Sequence, residues 1–281
     1  MTPTIHETGT LQSGDVALFY QHFGRPGAAP LLILHGANYY DSQDWTGVAA
    51  ALAADREVVA FDSRGFGASS WSASKDYSLD AIMDDINVLL DHFGWTRAVI
   101  AGHSLGGSFA LLFGARFPQR TAGVVLVDHC PGEGGAARAP VPSSAAPKAF
   151  PTLAAALAAT SRDQRTPLAR VEAFCRPVDG GYAFRRDPAF SNRTPATPGW
   201  TPKITVSDAW QELAQIQAPL GVIRATQSDR FDDARIARVR QVQPAARVAE
   251  VASGHDVVTG AQDAVIAALR SFLSQPKASA A

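Results

Sequence analysis

The sequence predicts an α/β fold in which helices flank a mostly parallel β-sheet. Short runs of almost continuously apolar residues recur along the first half of the chain and again near its end. Such runs are typical of strands that are buried on both faces. Segments with apolar residues at helical spacing separate the runs, and this alternation is typical of parallel strands joined by helices.

The strand predictions follow the order of the chain. An alternating segment at residues 16–24 predicts an early antiparallel edge strand. Apolar runs predict the remaining strands at residues 30–36, 57–62, 97–104, 123–128, 219–226 and 246–252. Because ligands bind at the carboxyl ends of the strands in open parallel sheets, we expect the functional site at that edge.

Helices are predicted from apolar spacing and from the residues at the helix ends. The first follows Ser78 and ends near Gly94, because glycine is common directly after the last turn of a helix. A second helix is predicted from about residue 105 to 117, because Pro118 cannot continue it. Residues 263–273 predict the final helix.

Residues 133–207 interrupt this alternation. They begin with a segment rich in Gly, Ala, Pro and Ser and continue with scattered aromatic residues. We therefore predict a core domain of residues 1–132 and 208–281 with a lid inserted after the sixth strand. Phe174, Phe184 and Trp200 are expected to form the core of the lid, with an apolar substrate pocket as the alternative.

The insertion also contains many arginines, which are typical of a solvated face. A site for a substrate that carries a carboxylate is the alternative interpretation. The arginines concerned are Arg162, Arg165, Arg170, Arg176, Arg185, Arg186 and Arg193.

Composition and charge disfavour several classes of protein. The 281 residues carry a formal net charge of -1, so no electrostatic field favours nucleic acid or an anionic membrane. No apolar run approaches the roughly 18 residues of a membrane span, and no signal-peptide pattern begins the chain. The cysteines, Cys130 and Cys175, suggest neither a disulfide framework nor a zinc site. We expect a cytoplasmic enzyme, monomeric or homodimeric, that acts on a small molecule without a metal or cofactor.

The strongest functional signal is the pattern Gly-x-Ser-x-Gly, which residues 102–106 match with Ser104 at its centre. The pattern lies between a predicted strand and a predicted helix. In that context a sharp turn lifts the serine hydroxyl above the sheet, and the flanking glycines avoid collisions with the backbone. We predict that Ser104 is a nucleophile; a purely structural turn is the alternative.

A serine hydroxyl needs a base to become an effective nucleophile. Among the seven histidines, His255 lies in the loop between the last predicted strand and the last predicted helix. That loop is at the carboxyl edge of the sheet, where Ser104 also lies. His255 is therefore predicted to be the general base, with a histidine that only orders its loop as the alternative.

Ser104 and His255, with an acid between them in the chain that is discussed below, follow the order serine, acid and histidine. This order resembles that of the α/β-hydrolase fold family, and the resemblance covers nearly the whole chain. The segment LLILHGAN, residues 31–38, is similar to the family's His-Gly turn. The segment FDSRGFGAS, residues 61–69, is similar to its Asp-x-Arg-Gly-x-Gly-x-Ser loop, and GHSLGG and GHDV complete the set. The resemblance implies an eight-stranded, mostly parallel sheet flanked by helices, with a lid after strand six.

The resemblance also implies the remaining parts of an active site. The backbone N–H groups of Ala37 and Leu105 would form an oxyanion hole, each lowering the barrier by roughly 3 kcal/mol. His35, Asn38 and His103 are expected to contact the substrate.

The acid of the triad has two candidates. An acid is needed to fix the imidazole tautomer and to stabilise the imidazolium. Asp229 follows the strand predicted at residues 219–226, where most members of the family carry their acid. Asp128 ends the strand predicted at residues 123–128, where a sizeable minority carry it. The segment IRATQS resembles a loop of that minority, whereas SDRF resembles a loop of members with the usual arrangement. We favour Asp128 and keep Asp229 as the alternative.

The resemblance implies two-step acyl transfer, and we expect a small or medium carboxylic ester or lactone as substrate. Haloalkane dehalogenases and epoxide hydrolases of the family are disfavoured, because they use an aspartate where this chain has Ser104. The alternatives are a carbon–carbon bond hydrolase, a cofactor-free lyase or dioxygenase that uses the histidine–aspartate pair as a base, and a ligand-binding receptor on the same scaffold.

Overall fold

An eight-stranded β-sheet forms the centre of the computed structural model, which describes residues 5–132, 149–160, 162–190 and 206–274. The strands, in chain order, are β1 (Ile5–Ser13), β2 (Val16–Gly24), β3 (Ala29–Leu34), β4 (Arg56–Phe61), β5 (Ala98–His103), β6 (Thr121–Val127), β7 (Cys175–Val178), β8 (Gly181–Phe184), β9 (Leu220–Ala225) and β10 (Arg247–Val251). The central sheet has the order β1-β2-β4-β3-β5-β6-β9-β10, and β7 and β8 form a separate hairpin. The β1–β2 and β2–β4 pairs are antiparallel, and the other neighbours in the central sheet are parallel. The predicted fold class is confirmed.

Helices cover both faces of the central sheet. They are α1 (Thr46–Leu52), α2 (Leu79–His92), α3 (Leu105–Arg116), α4 (Leu153–Ala158), α5 (Leu168–Phe174), α6 (Val206–Gln215), α7 (Asp233–Val242), α8 (Val257–Gly260) and α9 (Gln262–Leu273). Apolar side chains of α2, α3, α6 and α7 pack on one face, and those of α1, α8 and α9 pack on the other. Among the described residues, no helix is long and apolar enough to span a lipid bilayer.

The continuously apolar sequence of β3 follows from this two-sided cover. Leu32 and Leu34 lie in the cluster formed with α2 and α3, whereas Leu31 and Ile33 lie in the cluster formed with α1 and α9. All four are fully buried, and burial of one such side chain contributes roughly 1.5–3 kcal/mol. Successive residues of a strand face opposite sides of the sheet, so a strand covered on both sides needs apolar residues at each position.

The helix predicted after Ser78 is present as α2. The Oγ atom of Ser78 accepts a hydrogen bond from the backbone N–H of Ala81 at 3.2 Å, which satisfies one of the free N–H groups at the helix start. Gly94 follows the last turn at φ 67°, a conformation that glycine adopts at little cost. The apolar positions that predicted the helix, such as Ile82 and Ile86, form its buried face.

The prediction that residues 16–24 form the edge strand is wrong, because β1 covers that edge. β1 pairs antiparallel with β2 along its full length. Its sequence, IHETGTLQS, is mostly polar, so it gives little apolar periodicity. The missed signal is the turn, where Gly14 at φ 56° stands in a two-residue connection between the strands.

Residues 149–160 and 162–190, called the cap segment below, fold beside the loop that follows β3. The cap segment contains α4, α5 and the β7–β8 hairpin. Its buried Phe150 and Phe174 pack with Tyr39 and Tyr40 of that loop. This apolar cluster attaches the cap segment to the carboxyl edge of the central sheet.

The boundaries predicted for the insertion stay a prediction. Residues 133–148 and 191–205, which include Arg193 and Trp200, lie outside the described residues. Within the cap segment, Phe184 packs against the apolar cluster that contains Phe174. This placement agrees with the expectation that the two residues belong to the core of the lid. Helix α6 begins at Val206, just inside the predicted end of the insertion, and packs on the central sheet.

Candidate active site

Ser104 occupies the sharp connection between β5 and α3. Its backbone lies at φ 52° and ψ −114°, a conformation that costs residues other than glycine of order 1–3 kcal/mol. The backbone N–H of Ser104 donates a hydrogen bond to the carbonyl of Val127, at the end of β6, at 3.1 Å. The half-buried serine thus stands at the carboxyl edge of the sheet and at the N-terminus of α3.

The two glycines of the motif are required by close backbone contacts. A Cβ atom on Gly102 would lie 2.1 Å from the carbonyl oxygen of Gly106. A Cβ atom on Gly106 would lie 2.5 Å from the carbonyl oxygen of Leu34, at the end of β3. Because backbone atoms cannot move aside as a flexible side chain can, these positions accept no side chain. The spacing of the motif therefore has a steric cause in this fold.

The loop after β10 brings His255 to Ser104. The Nε2 atom of His255 lies 3.0 Å from the Oγ atom of Ser104, although 151 positions separate the residues. Strands β5, β6, β9 and β10 run parallel, so the loops at their carboxyl ends meet at one edge of the sheet. The distance is suitable for transfer of the serine proton to the imidazole.

Asp128 lies on the other side of the imidazole. Its Oδ2 atom is 2.7 Å from Nδ1 of His255, and its side chain is fully buried. The second oxygen, Oδ1, accepts a hydrogen bond from the backbone N–H of Ala225 in β9 at 3.1 Å. The carboxylate is thus fixed by β9, and it orients the imidazole so that Nδ1 donates and Nε2 accepts.

Asp229, the alternative acid, lies away from this group. Its side chain is 79% exposed, and its Oδ1 atom is 3.3 Å from the guanidinium of the adjacent Arg230. The structure therefore brings Ser104, His255 and Asp128 together and leaves Asp229 in a turn at the surface.

Comparison with known proteins identifies the family to which the chain belongs. The sequence model of the alpha/beta hydrolase fold matches residues 29–259, which include the serine, the aspartate and the histidine described above. The chain belongs to the α/β-hydrolase fold family. A solved α/β hydrolase from Novosphingobium aromaticivorans is similar to this chain with a TM-score of 0.78 and 26% identity, and the match covers 96% of this chain and 98% of that one.

Curated relatives match part of the chain. The dihydrolipoyllysine-residue acetyltransferase component of the acetoin cleaving system of Pseudomonas putida is 35% identical over 114 residues, which is 41% of this chain and 30% of that protein. The 3-oxoadipate enol-lactonase 2 of Acinetobacter baylyi is 32% identical over 126 residues, 45% of this chain and 46% of that protein. The chain therefore spans less than half the length of these relatives.

The turn after β3 packs directly on the turn that carries Ser104. A Cβ atom on Gly36 would lie 2.9 Å from both the imidazole of His103 and the ring of Tyr40. Within the part of the chain that the structure describes, no hydrogen bond uses the backbone N–H of Ala37 or of Leu105. Leu105 begins α3, where the first N–H groups have no partner inside the helix. The oxyanion hole at Ala37 and Leu105 stays a prediction, with which these two unpaired N–H groups agree.

His35 joins the turn after β3 to the loop after β4. Its Nδ1 donates to the carbonyl of Gly36 at 2.6 Å, and its Nε2 accepts from the backbone N–H of Ser63 at 2.9 Å. Burial lowers the pKa of His35, so the ring is neutral. With both nitrogens engaged and only 2% of the residue exposed, its expected contact with substrate is corrected to a structural role.

His103 is likewise a support behind the site. Its Nε2 donates to the backbone carbonyl of His255 at 2.8 Å, and the two imidazole rings lie 4.8 Å apart between centroids. Burial and the neighbouring His255 lower the pKa of His103 to about 3. The residue is 1% exposed, so its predicted contact with substrate is also corrected: His103 holds the loop of His255.

Asn38 differs from these two histidines because it is exposed. Its backbone lies at φ 67°, a conformation that asparagine tolerates better than most residues. Its side-chain oxygen accepts a hydrogen bond from the guanidinium of Arg186 in the cap segment. The expectation that Asn38 contacts the substrate stays a prediction.

A cluster of carboxylates and arginines beside the His-Gly turn is not part of the sequence predictions. Arg162 donates two hydrogen bonds to Asp44, at 2.9 and 2.6 Å. Arg170 donates to Asp41 at 2.5 and 3.1 Å and also reaches Asp44 at 3.0 Å. Both arginines belong to the cap segment. The sequence favours solvated side chains for them, with a site for a substrate carboxylate as the alternative. The structure instead pairs both with buried aspartates. That expectation is corrected for Arg162 and Arg170.

Charges within this cluster are unevenly compensated. Burial and the neighbouring carboxylate of Asp62 raise the pKa of Asp41 to about 7. Burial alone would raise the pKa of Asp44 as well, but the charges of Arg162 and Arg170 outweigh it, and the pKa lies below its usual range. Asp44 is therefore the firmly ionised partner of the two arginines.

One signal of this cluster is present in the sequence. The segment DSQD, residues 41–44, has an acidic residue at both ends of a four-residue unit, as in a helix capping box. The structure shows that box, because the carboxylate of Asp41 accepts from the backbone N–H of Gln43 and Asp44 reaches back to the backbone N–H of Asp41.

Proposed function

We propose that this protein is a serine hydrolase that cleaves a small or medium carboxylic ester or lactone through an acyl-enzyme on Ser104. The observation that carries the proposal is the unbroken relay from Ser104 Oγ to His255 Nε2, at 3.0 Å, and from His255 Nδ1 to Asp128, at 2.7 Å. A hydroxyl, an imidazole and a buried carboxylate in this order form the arrangement that activates a serine.

In the first step His255 accepts the proton of Ser104 as the serine oxygen attacks the substrate carbonyl. The carbonyl oxygen becomes an oxyanion, which the backbone N–H groups of Ala37 and Leu105 stabilise. His255 then gives its proton to the departing alcohol oxygen, and the acyl group stays on the serine. Asp128 stabilises the imidazolium throughout without accepting the proton.

In the second step water replaces the alcohol. His255 takes a proton from the water, the hydroxide attacks the acyl-enzyme, and the tetrahedral intermediate again lies in the oxyanion hole. Collapse of the intermediate returns the proton to Ser104 and releases a carboxylic acid. For a lactone, the alcohol and the acid belong to one product molecule.

The choice of an ester or lactone is supported by the nucleophile and by a relative. A serine forms an acyl-enzyme with carbonyl substrates. The relative from Acinetobacter baylyi is an enol-lactonase, a hydrolase of a cyclic ester. Contacts from Arg162 to the carbonyl of Tyr39 and from Arg186 to Asn38 support the further proposal that residues 133–207 form a lid beside the oxyanion turn.

Hydrolysis of a p-nitrophenyl ester series from acetate to octanoate tests the proposal. The variants are Ser104→Ala and, as a matched control, Ser108→Ala, in the first turn of α3, which begins directly after Ser104. We expect Ser104→Ala to lower kcat by at least about 10³-fold and Ser108→Ala to leave it within about three-fold of the wild type. Equal turnover by Ser104→Ala would contradict the proposal and favour a base-catalysed reaction.

A further inference from the structure

We propose that Arg162, a residue of the cap segment, is a positioning residue that holds the oxyanion turn and the loop of His255 in one arrangement. Its side chain is 1% exposed, and it lies between these two loops, although it touches neither the nucleophile nor the base. This inference rests on the proposed serine hydrolase, because it assigns a role in that same site.

The first half of the argument concerns the oxyanion turn. Arg162 donates to the backbone carbonyl of Tyr39 at 3.1 Å and, through both Nη atoms, to the carboxylate of Asp44. Tyr40 in turn donates its backbone N–H to the carbonyl of Ala37 at 3.3 Å. The guanidinium therefore fixes the segment that directly follows Ala37, one of the two oxyanion donors.

The second half concerns the loop of His255. The guanidinium carbon of Arg162 lies 4.7 Å from the centre of the Tyr40 ring. That ring packs edge-on against His103, with 5.1 Å between centroids, and His103 donates to the backbone carbonyl of His255 at 2.8 Å. A continuous series of contacts thus connects Arg162 to the backbone of the general base.

The positive charge of Arg162 also acts on Asp256, a buried carboxylate in the loop of His255. Asp256, directly after His255, is 9% exposed. Burial raises the pKa of Asp256, and the positive charge of Arg162 is among the influences that lower it again. Arg162 thus binds the carboxylate of Asp44 directly, and its charge also acts on the carboxylate of Asp256 in the other loop. A planar guanidinium can bind Asp44 with two parallel bonds and still stack on Tyr40, which a lysine ammonium cannot do.

Another contact attaches the cap segment to the loop after β4 and to residues 75–77, with no direct bond to the oxyanion turn or to the loop of His255. Asp187 accepts hydrogen bonds from Lys75, at 2.9 Å, and from Tyr77. Its backbone N–H donates to the carbonyl of Gly65 at 2.8 Å. Asp187 is 2% exposed, so it matches Arg162 in burial and in joining the cap segment to the rest of the chain. Asp187→Asn is therefore the control for a purely structural role.

The experiment measures the rate at which a fluorophosphonate probe modifies the protein, because this reaction needs no knowledge of the substrate. The serine oxygen bonds to phosphorus, fluoride departs and the histidine takes the serine proton. Second-order rate constants are compared for the wild type, Arg162→Met, Arg162→Lys and Asp187→Asn, with Ser104→Ala as the unreactive reference. Values of kcat and KM are measured in parallel with the p-nitrophenyl ester that the wild type hydrolyses fastest.

We expect Arg162→Met to lower the labelling rate constant and kcat by about 10- to 100-fold, since a misplacement of about 1 Å is enough for such a loss. KM should change by less than about three-fold. Arg162→Lys should recover part of this loss. If Arg162→Met does not fold, Arg162→Lys is compared with the wild type in its place. Asp187→Asn should keep both rates within about two-fold of the wild type.

Two results would overturn the inference, and they are distinguishable. If the wild type is labelled but Arg162→Met and Asp187→Asn react equally fast, Arg162 is only an anchor of the cap segment and the proposed hydrolase stands. If the wild type itself is not labelled at Ser104, the proposed function fails and the inference fails with it.

Discussion

Oδ2 of Asp128 and Nδ1 of His255 lie 2.7 Å apart, although 127 positions of the chain separate them. The contact exists because β6, which Asp128 follows, is joined through β9 to β10, which His255 follows. Asp128 also accepts a hydrogen bond from the backbone of β9. The strand between the acid and the histidine thus fixes the acid in place.

Replacement of Asp128 tests which carboxylate serves the histidine. We expect Asp128→Asn to lower kcat by roughly 10³- to 10⁴-fold, because the amide favours the wrong imidazole tautomer and cannot stabilise the imidazolium. Asp229→Asn, at a residue whose side chain is 79% exposed, should keep kcat within about two-fold. Steady-state kinetics of both variants on one ester checks this. The opposite ranking of the two variants would make Asp229 the acid.

The sheet is largely predictable from the sequence because most of its strands are covered on both faces. Such strands need apolar residues at every position, as Leu31 and Leu32 illustrate, and this pattern is visible without a structure. β1 has no such pattern because it lies at the edge of the sheet. Helix α7 was not predicted for a similar reason, since only Ile236 and Val239 among its residues are buried.

The site is predictable only where local geometry dictates the residue type. The glycines beside Ser104 are required by contacts within one turn, so the motif is visible in the sequence. The choice between Asp128 and Asp229 depends on which loop faces the histidine, and the neighbouring segments IRATQS and SDRF favour different acids. The pairing of Arg162 with Asp44 spans 118 positions, and no local pattern connects them.

The neutral state of His103 predicts a pH-dependent contribution to stability. The folded chain lowers the pKa of His103 to about 3, whereas an unfolded chain binds a proton near pH 6.5. Between these values the unfolded state holds more protons, so acid favours unfolding. The contribution is fully present above about pH 6.5 and is lost as the pH falls towards 3.

The variant His103→Gln isolates this contribution, because glutamine keeps a donor and does not titrate. We expect the free energy of unfolding of the wild type to fall by about 2 kcal/mol more between pH 7 and pH 5 than that of the variant. Asp41, whose raised pKa acts in the opposite direction, is present in both proteins and cancels in the difference. Urea unfolding at the two pH values provides the measurement, and parallel pH profiles would show that His103 is not held neutral.

Glycine at position 102 is predicted to be essential for stability. A Cβ atom there would meet the backbone oxygen of Gly106 at 2.1 Å, so Gly102→Ala requires the turn to move. We expect a loss of at least about 3 kcal/mol in the free energy of unfolding, at the upper end for overpacking. Gly254→Ala is the control, because a Cβ atom on Gly254 meets no heavy atom within 4 Å. Equal stability of the two variants would refute the steric account of the motif.

The mass of the intact protein during turnover tests the central claim, an acyl-enzyme on Ser104, most directly. The wild type and Ser104→Ala are mixed with a p-nitrophenyl ester, quenched in acid at intervals from milliseconds to minutes, and weighed before and after proteolysis. We predict that the wild type gains the mass of one acyl group on the peptide that contains Ser104, that this mass disappears once the ester is consumed, and that the variant gains none. Turnover of the ester with no adduct at any quench time, or an adduct on another residue, would contradict the account.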